Sequence, residues 1–369
     1  MDSCLRRNDI SILYIAKCFL KHICQMTVDS FPDRTITFKG EEYLYFGGTS
    51  YLGMATLPEF QNLIIQNIKK WGTFYGSSRN ANVKLSVYDK VEQLFSEQIG
   101  SEASITVSSG TLAGKLTTDY LSKTIHTFFH YPKTHPAILV QHSLPLYIDG
   151  ELHSKLLDDV VEEIVITTDA ILSLEVTPTS FDFLNQISSK KKITLIVDES
   201  HSLGIVGKYG EGIFNSIPIE KLHRKIMISS LGKALSLSGG IIASDKQFIN
   251  DIKLSALFVS SSGANPAYLE TFIQAQDLYA LQQERLKNNL AFLSSKLKLT
   301  KEFKFTDNYP VIYSINDTIF AKLLENNIII TRFTYPTYKK MMNRIVITAN
   351  HTKNDLEKLV QILNTDYDQ

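Results

Sequence analysis

The stretch VDESHSLGIVGKYGEG, residues 197–212, begins where an apolar run, Ile193 to Val197, ends, and it delivers Asp198 and His201 directly after that run. A short apolar run without polar alternation suits a strand buried on both faces of a mainly parallel sheet, and open parallel sheets bind ligands at the C-terminal edge of their strands. The stretch KIMISSLGKALSLSGG, residues 225–240, repeats the arrangement, with a strand that ends in Ser229, Ser230, Gly232 and Lys233. A single lysine carried by a strand into a glycine-bearing turn is a candidate nucleophile. A third stretch, ITVSSGTLAG at 105–114, runs from a strand into Ser108, Ser109, Gly110 and Thr111 and then into a helix. Small hydroxyl residues and free N–H groups at a helix start form a phosphate cradle.

Outward from these stretches the chain alternates helix and strand. Phe60, Leu63, Ile64, Ile68 and Trp71 follow helical spacing after Pro58, and Val87, Val91, Leu94 and Phe95 repeat it before Gly100. Apolar runs at 105–107, 170–176, 193–197, 226–229 and 241–243 read as strands of one sheet. A long helical stretch from Pro266 to about Leu297 leads into a second βα unit with strands at 311–315, 328–330 and 344–348 and helices at 321–324 and 356–363. The pattern predicts a large α/β domain followed by a smaller C-terminal α/β domain. The expected division is an N-terminal extension at 1–25, an N-terminal segment at 26–56, a large domain at 57–265, a connecting helix at 266–298 and a small domain at 299–369.

Composition narrows the function classes. Thirty-eight basic residues cancel 38 acidic ones, so no global field attracts nucleic acid or an anionic membrane surface. The three cysteines, Cys4, Cys18 and Cys24, all precede residue 26, which excludes a disulfide framework or a cysteine metal site in the main body. The apolar run Ile10 to Ala16 is too short to span a bilayer, and Lys17 and His22 spoil a signal peptide. Residues 1–25 are therefore expected to be a poorly ordered extension from an overcalled start, or else an amphipathic helix packed on the body, and the protein is expected in the cytoplasm.

An amine for covalent attachment, a carboxylate for a pyridine nitrogen and a phosphate cup are together the needs of one cofactor, pyridoxal 5′-phosphate. Each piece alone is weak, because lone lysines are mostly solvated and an Asp after a strand commonly turns the chain. Their shared placement at strand ends is what gives the set its meaning.

From about Tyr43 to the C-terminus the chain resembles the α-oxoamine synthase family of fold-type I pyridoxal-phosphate enzymes. The resemblance rests on TSYLGM at 49–54 against Asn-Asp-Tyr-Leu-Gly-Leu, GSSR at 76–79 against a Gly-Ser-Arg turn, and the central stretch with Gly204, Gly207, Gly210 and Gly212 against Asp-Glu-Ala-His and its glycines. It implies a mainly parallel seven-stranded sheet in the large domain. It also implies condensation of an amino acid with an acyl thioester, acyl-CoA or acyl-carrier, with loss of carbon dioxide to give an α-amino ketone. An aminotransferase of class I/II type on the same scaffold shares every cofactor contact and is the alternative; a non-catalytic binding protein derived from the fold is disfavoured by Lys233, Asp198 and His135 occurring together.

Residue by residue, the resemblance makes Lys233 the lysine that joins the cofactor and Asp198 the partner of the pyridine nitrogen. It gives His201 to the ring's phenolic oxygen, His135 to the ring face, and Ser109, Gly110, Thr111 and Ser230 to the phosphate. Arg332, twelve residues before Arg344 with ANHT following at 349–352, aligns with the arginine that clamps the substrate carboxylate. SSSGANPA at 260–267 resembles a loop that reaches the neighbouring subunit's phosphate, which implies a homodimer with Ser262 or Gly263 at a shared site. Departures cluster near the substrate: Thr49 replaces Asn, Phe333, Thr334 and Tyr335 replace Pro-Pro-Thr after Arg332, and Tyr131 stands where an acid precedes the stacking histidine. LEVTPTSFD at 174–182, read against Glu-Gly-Val-Phe-Ser-Met-Asp-Gly, leaves Thr179 as the loose replacement of a serine near the ring. By its neighbours alone His135 also fits a turn, with His126 and His130 as rivals. Arg344 reads as a strand end in a structural ion pair, His351 as a surface residue near a helix start, and Glu199 as a motif residue without a reaction role.

Overall fold

A computed structural model describes residues 26–334 and 341–365. The expectations for residues 1–25, with all three cysteines, and for Tyr335 lie outside the described residues. In chain order the elements are β1 (Thr35–Phe38), β2 (Glu41–Phe46), α1 (Pro58–Trp71), α2 (Ser86–Ile99), β3 (Ala103–Val107), α3 (Gly110–Leu121), β4 (Thr127–His130), β5 (Leu144–Pro145), β6 (Tyr147–Ile148), β7 (Glu151–Leu152), β8 (Glu162–Asp169), β9 (Lys191–Asp198), β10 (Arg224–Ser230) and β11 (Gly240–Ser244). There follow α4 (Lys246–Leu254), α5 (Ala256–Ser260), α6 (Pro266–Gln274), α7 (Gln276–Lys296), β12 (Phe303–Thr306), β13 (Tyr309–Ser314), α8 (Ile319–Glu325), β14 (Ile328–Thr334), β15 (Met341–Val346) and α9 (Lys353–Asn364). Among the described residues no helix is long and apolar enough to cross a membrane.

The chain forms two units, one from Leu57 to Gln283 and one that joins the residues up to Thr56 with those from Glu284 onward. The first is built on a seven-stranded sheet of order β3-β11-β10-β9-β8-β4-β5. Strands β4, β8, β9 and β10 are parallel, and β11 runs antiparallel between β10 and β3. The C-terminal ends of β3, β4, β8, β9 and β10 therefore share one edge. Both faces of the sheet are covered: Ile105, Val165, Ile196, Ile226 and Ile228 pack in one apolar cluster and Phe129, Ile164, Ile166, Leu195 and Val197 in another. Alternate residues of one strand thus go to opposite cores, as the uninterrupted apolar runs require.

One expected strand is misplaced. The run 170–176 is not a strand; β8 lies just before it and carries Glu162 and Glu163 at its start and Thr167, Thr168 and Asp169 at its end. The two glutamates are matched by Lys191 and Lys192 directly opposite on β9, so polar ends are compatible with a central strand. The apolar residues after it, Ala170, Ile171 and Leu174, are buried from a loop that turns at Leu174, where φ is 68°. The long helix expected from Pro266 is also two helices, interrupted at Ala275.

The second unit holds a six-stranded sheet of order β1-β2-β14-β15-β13-β12. Its first two strands come from the N-terminal segment, β2 lying parallel to β14. Thr352 and Asp355 close a reciprocal capping box at the start of α9, and Arg34 donates to both oxygens of Asp355 at 2.9 and 3.1 Å, tying the residue before β1 to that helix. His351, expected at the surface, is buried: its ring stacks on Phe46 with centroids 4.0 Å apart, Nδ1 accepts from the Thr348 N–H at 2.9 Å, and Nε2 lies 3.2 Å from the Tyr45 carbonyl.

Candidate active site

Three turns converge at the C-terminal edge of the large sheet. After β3, the Ser109 hydroxyl caps α3 by accepting from the Leu112 N–H at 3.1 Å, while the helix opens on Gly110. A Cβ on Gly110 would stand 2.8 Å from both Cα and Cβ of Ser230, so only glycine lets the helix start approach the end of β10 this closely. Gly240 allows the matching approach on β11, where a Cβ would lie 2.3 Å from the Ser109 carbonyl oxygen. Ser230 in turn receives the Gly232 N–H on its hydroxyl at 3.2 Å and donates its own N–H to the Ser200 hydroxyl at 2.7 Å. Ser200 closes the chain by donating its N–H to Asp198 at 2.8 Å. Ser109, Gly110 and Ser230 are thus brought together as expected, with Thr111 exposed in the first turn of the same helix.

The charged groups meet beside this cradle. Asp198 ends β9 and is buried. Lys233, half-buried, follows β10 in the turn whose Leu237 N–H returns to the Leu231 carbonyl at 2.9 Å. His135 lies within electrostatic reach of both: partial burial holds its imidazole below the ordinary histidine value, the Lys233 ammonium adds to this, and Asp198 opposes it. Its Nδ1 accepts from the Ala137 N–H at 3.2 Å, which fixes the ring at the start of a short helical turn. His130, the rival at the end of β4, bonds Ser143 at 2.6 Å, and burial lowers its value. His201 sits half-buried in the turn after Asp198.

A second carboxyl, absent from the expectation, shares the site. Asp169 ends β8 directly opposite Asp198, is 6% exposed, and receives the His135 main-chain N–H on its two oxygens at 3.3 and 3.1 Å. Burial and the neighbouring Asp198 push its value well up, against the His135 N–H and Lys233. Its sequence signal is the acid closing the run IVITTD, masked by the longer apolar run at 170–176 that follows. Thr179, on the loop after β8, donates its hydroxyl to the Asp169 carbonyl at 2.7 Å and its N–H to the Ala170 carbonyl at 2.9 Å, locking that loop. Tyr131 is committed to an aromatic group, edge-on to Tyr147 at 5.6 Å and tilted to Phe183 at 5.7 Å.

Ser262 is exposed in the segment between α5 and α6. That segment is pinned through Gly263, whose Cβ would meet the Tyr88 hydroxyl at 2.7 Å and Arg79 Cδ at 2.9 Å, and through the Tyr88 hydroxyl bond to the Ala264 carbonyl at 2.8 Å. Arg79 of the GSSR turn is itself buried, paired with Glu92 and stacked over the Tyr88 ring at 3.9 Å.

The two expected substrate residues belong to the second unit. Thr331 stands opposite Arg344 and Arg332 opposite Asn343, so Arg332 and Arg344 project from opposite faces of the small sheet. On one face the Thr331 hydroxyl accepts the Gly48 N–H at 3.3 Å and Arg344 donates to the Gly48 carbonyl at 3.2 Å, holding the turn that carries Thr49. Arg344 therefore lies within β15, not at its end, and bonds a main-chain carbonyl in place of the expected ion pair. On the other face Arg332 lies 5.4 Å from the Phe320 ring centroid and 3.5 Å from the exposed Asp317, and its buried Nε has no hydrogen-bond partner among the described residues.

Two family patterns match the chain: Aminotransferase class I and II over residues 177–363, just over half of its length, and the DegT/DnrJ/EryC1/StrS aminotransferase family over residues 83–212. The chain belongs to the class I and II aminotransferase family. Within this family it is similar to an 8-amino-7-oxononanoate synthase of Thermosipho melanesiensis, 26% identical over 363 residues that span 90% of each protein. Among solved structures, an 8-amino-7-oxononanoate synthase from Francisella tularensis superposes with a TM-score of 0.65 at 24% identity over 88% of this chain and 98% of that one. A serine palmitoyltransferase variant from S. paucimobilis, solved with PLP and myriocin bound, gives 0.74 at 15% identity over 99% and 98%. The fold of this class I and II aminotransferase family member is accordingly that of the fold-type I pyridoxal-phosphate enzymes, with the α-oxoamine synthases among its relatives.

Proposed function

We propose that the chain is a pyridoxal-phosphate-dependent acyltransferase that condenses an amino acid with an acyl thioester, releasing carbon dioxide and free thiol and forming an α-amino ketone. The cofactor is supported by the meeting of Lys233, Asp198 and His135 beside a cradle that only Gly110 can form against Ser230, and the acyl-transfer chemistry by the likeness to 8-amino-7-oxononanoate synthases along nearly the whole chain. The cradle fits a phosphate, since α3 opens there with the N–H groups of Gly110 and Thr111, which the Ser109 cap does not use, beside the exposed Ser109 and Thr111.

In that site Ser109, Gly110, Thr111 and Ser230 would hold the phosphate, Asp198 the proton of the pyridine nitrogen and His201 the phenolic oxygen, and His135 would cover the ring face. The bound cofactor supplies an electron sink for the bonding pair at the amino acid's α-carbon. Lys233 would hold the cofactor through its amine, and that amine would carry protons to and from the α-carbon. Arg332 takes the amino-acid carboxylate, its unmatched Nε and its long contact to Asp317 leaving donors for a fork-shaped pair. Thr49, on the opposite face, serves another part of the substrates.

We further propose a homodimer. The segments 73–80 and 253–265 are cross-tied by bonds from Ser78 to the Val259 carbonyl at 2.8 Å, Asn80 to the Lys253 carbonyl at 2.7 Å and Asn265 to the Thr73 carbonyl at 2.6 Å. Around these ties Phe74, Val83, Leu254 and Val259 are exposed, the kind of apolar surface a partner copy covers, with Ser262 on the same segment.

The deciding assay presents purified holoenzyme with a panel of amino acids, each with and without acyl-CoA. Carbon dioxide and free thiol released together, only when both substrates are present, is the expected result. Keto acid formed from the amino acid alone would replace this reading with the aminotransferase one, which the names of both matching families favour.

A further inference from the structure

We infer that Asp169 is a positioning residue of the site, whose carboxyl fixes the main chain of His135 and thereby the imidazole beside Asp198 and Lys233. This rests on the proposed function only in what His135 covers.

The segment from Tyr131 to His135 is fastened to the end of β8 and the loop after it, and to itself. The Tyr131 N–H donates to the Thr167 carbonyl at 2.9 Å, the Thr134 hydroxyl donates to the Tyr131 and Thr167 carbonyls at 2.7 and 3.2 Å, and Lys133 pairs with Glu175 at 2.7 Å. These ties stop at Thr134. The bonds that reach His135 itself from β8 come from Asp169, and they arrive at the residue whose side chain then turns into the site.

The pairing also has an electrostatic consequence. Asp169 and Asp198 end neighbouring parallel strands in the same register, so two negative carboxylates there would repel across a short, poorly solvated gap. Burial and the neighbouring Asp198 favour a proton on Asp169, which relieves that repulsion. A neutral amide can therefore stand in for it: asparagine keeps an oxygen that accepts the His135 N–H, whereas alanine removes the acceptor.

The test follows the His135 ring proton by NMR as pH is varied, in the full chain before and after addition of pyridoxal phosphate, with the signal assigned by its loss in His135→Gln. Wild-type protein and Asp169→Asn are expected to titrate below the ordinary histidine value of about 6.5. Asp169→Ala is expected to return to that value and to bind pyridoxal phosphate at least tenfold more weakly, with Asp169→Asn within about threefold of wild type; Asp169→Ser replaces the alanine variant if circular dichroism shows that one unfolded. Identical His135 titration in wild-type and alanine or serine proteins overturns the inference, as does equal loss in the asparagine variant. A wild-type protein that fails to bind pyridoxal phosphate would overturn the proposed function instead, while the titration without cofactor still decides the role of Asp169.

Discussion

The Glu199 carboxylate takes the main-chain N–H of Ile213 on both oxygens, at 3.0 and 2.9 Å, and so fastens the far end of the glycine-rich loop back to the residue beside Asp198. Ser202 donates to the same carboxylate. The approach is close enough that a Cβ on Gly212, whose φ is 84°, would stand 2.2 Å from a Glu199 oxygen. A motif residue without a reaction role in the sequence thus holds the loop that follows Asp198 and His201.

Burial raises the Glu199 carboxyl to about 7 from the ordinary 4.5. Because the folded value lies above the unfolded one, the protonated acid favours the fold, and this stability is present in full below about 4.5 and lost as pH rises towards 7. Glu199→Gln should abolish a slope worth on the order of 3 kcal/mol across that window. Urea melts at stepped pH check it, and an unchanged slope in the variant would refute it.

His351 produces the opposite slope. Burial against Phe46 holds it at about 4, below the ordinary 6.5, so its share of stability is intact above 6.5 and is lost as pH falls towards 4. The two groups partly cancel in the wild-type protein, and His351→Asn should reveal Glu199 by giving a stability that improves steadily as pH falls from about 6.5. The same melts measure this, and continued acid loss in His351→Asn would count against it.

Lys233→Ala is expected to bind pyridoxal phosphate through the cradle yet to resist reductive fixation by borohydride, whereas the wild-type chain is fixed at the peptide bearing Lys233. Asp198→Asn should bind the cofactor and lower kcat, because an amide does not hold the pyridinium proton. Peptide mapping after borohydride treatment decides the first, and a label on Lys225 or Lys246 would contradict it.

Arg332→Ala should weaken amino-acid binding by about 2 to 4 kcal/mol with the cofactor spectrum unchanged. Thr331→Val, on the other face, should cost about 1 kcal/mol of stability by leaving the Gly48 N–H unpaired. Equilibrium titration with the amino acid and urea melts read the two effects separately. Amino-acid affinity that falls in Arg344→Ala but not in Arg332→Ala would transfer the carboxylate to the Thr49 face.

Light scattering on the holoenzyme should report twice the 41.7 kDa chain mass. Phe74→Glu combined with Leu254→Glu should halve that mass and remove activity if Ser262 completes the neighbouring site. A fully active monomer would refute the shared site.

Features that depend on local order were legible along the chain. Asp198, Lys233 and the Ser109–Gly110–Thr111 turn could be read because each follows an apolar run whose period marks a buried strand, and strand ends in a parallel sheet share one edge. Pro58 and Gly100 likewise mark helix ends through the neighbouring backbone alone.

What depends on residues far apart in the chain emerged only from their packing. β8 was hidden because its opening acids are neutralised by lysines on β9, and the buried apolar run after it is a loop, so Asp169 became visible only with the β8–β9 register. No local period shows that β2 pairs with β14, that Arg332 and Arg344 face opposite ways, or that His351 is enclosed between Phe46 and the turn at Thr348. Those outcomes are set by which distant surfaces exclude water together, a property of the packed chain and not of any segment within it.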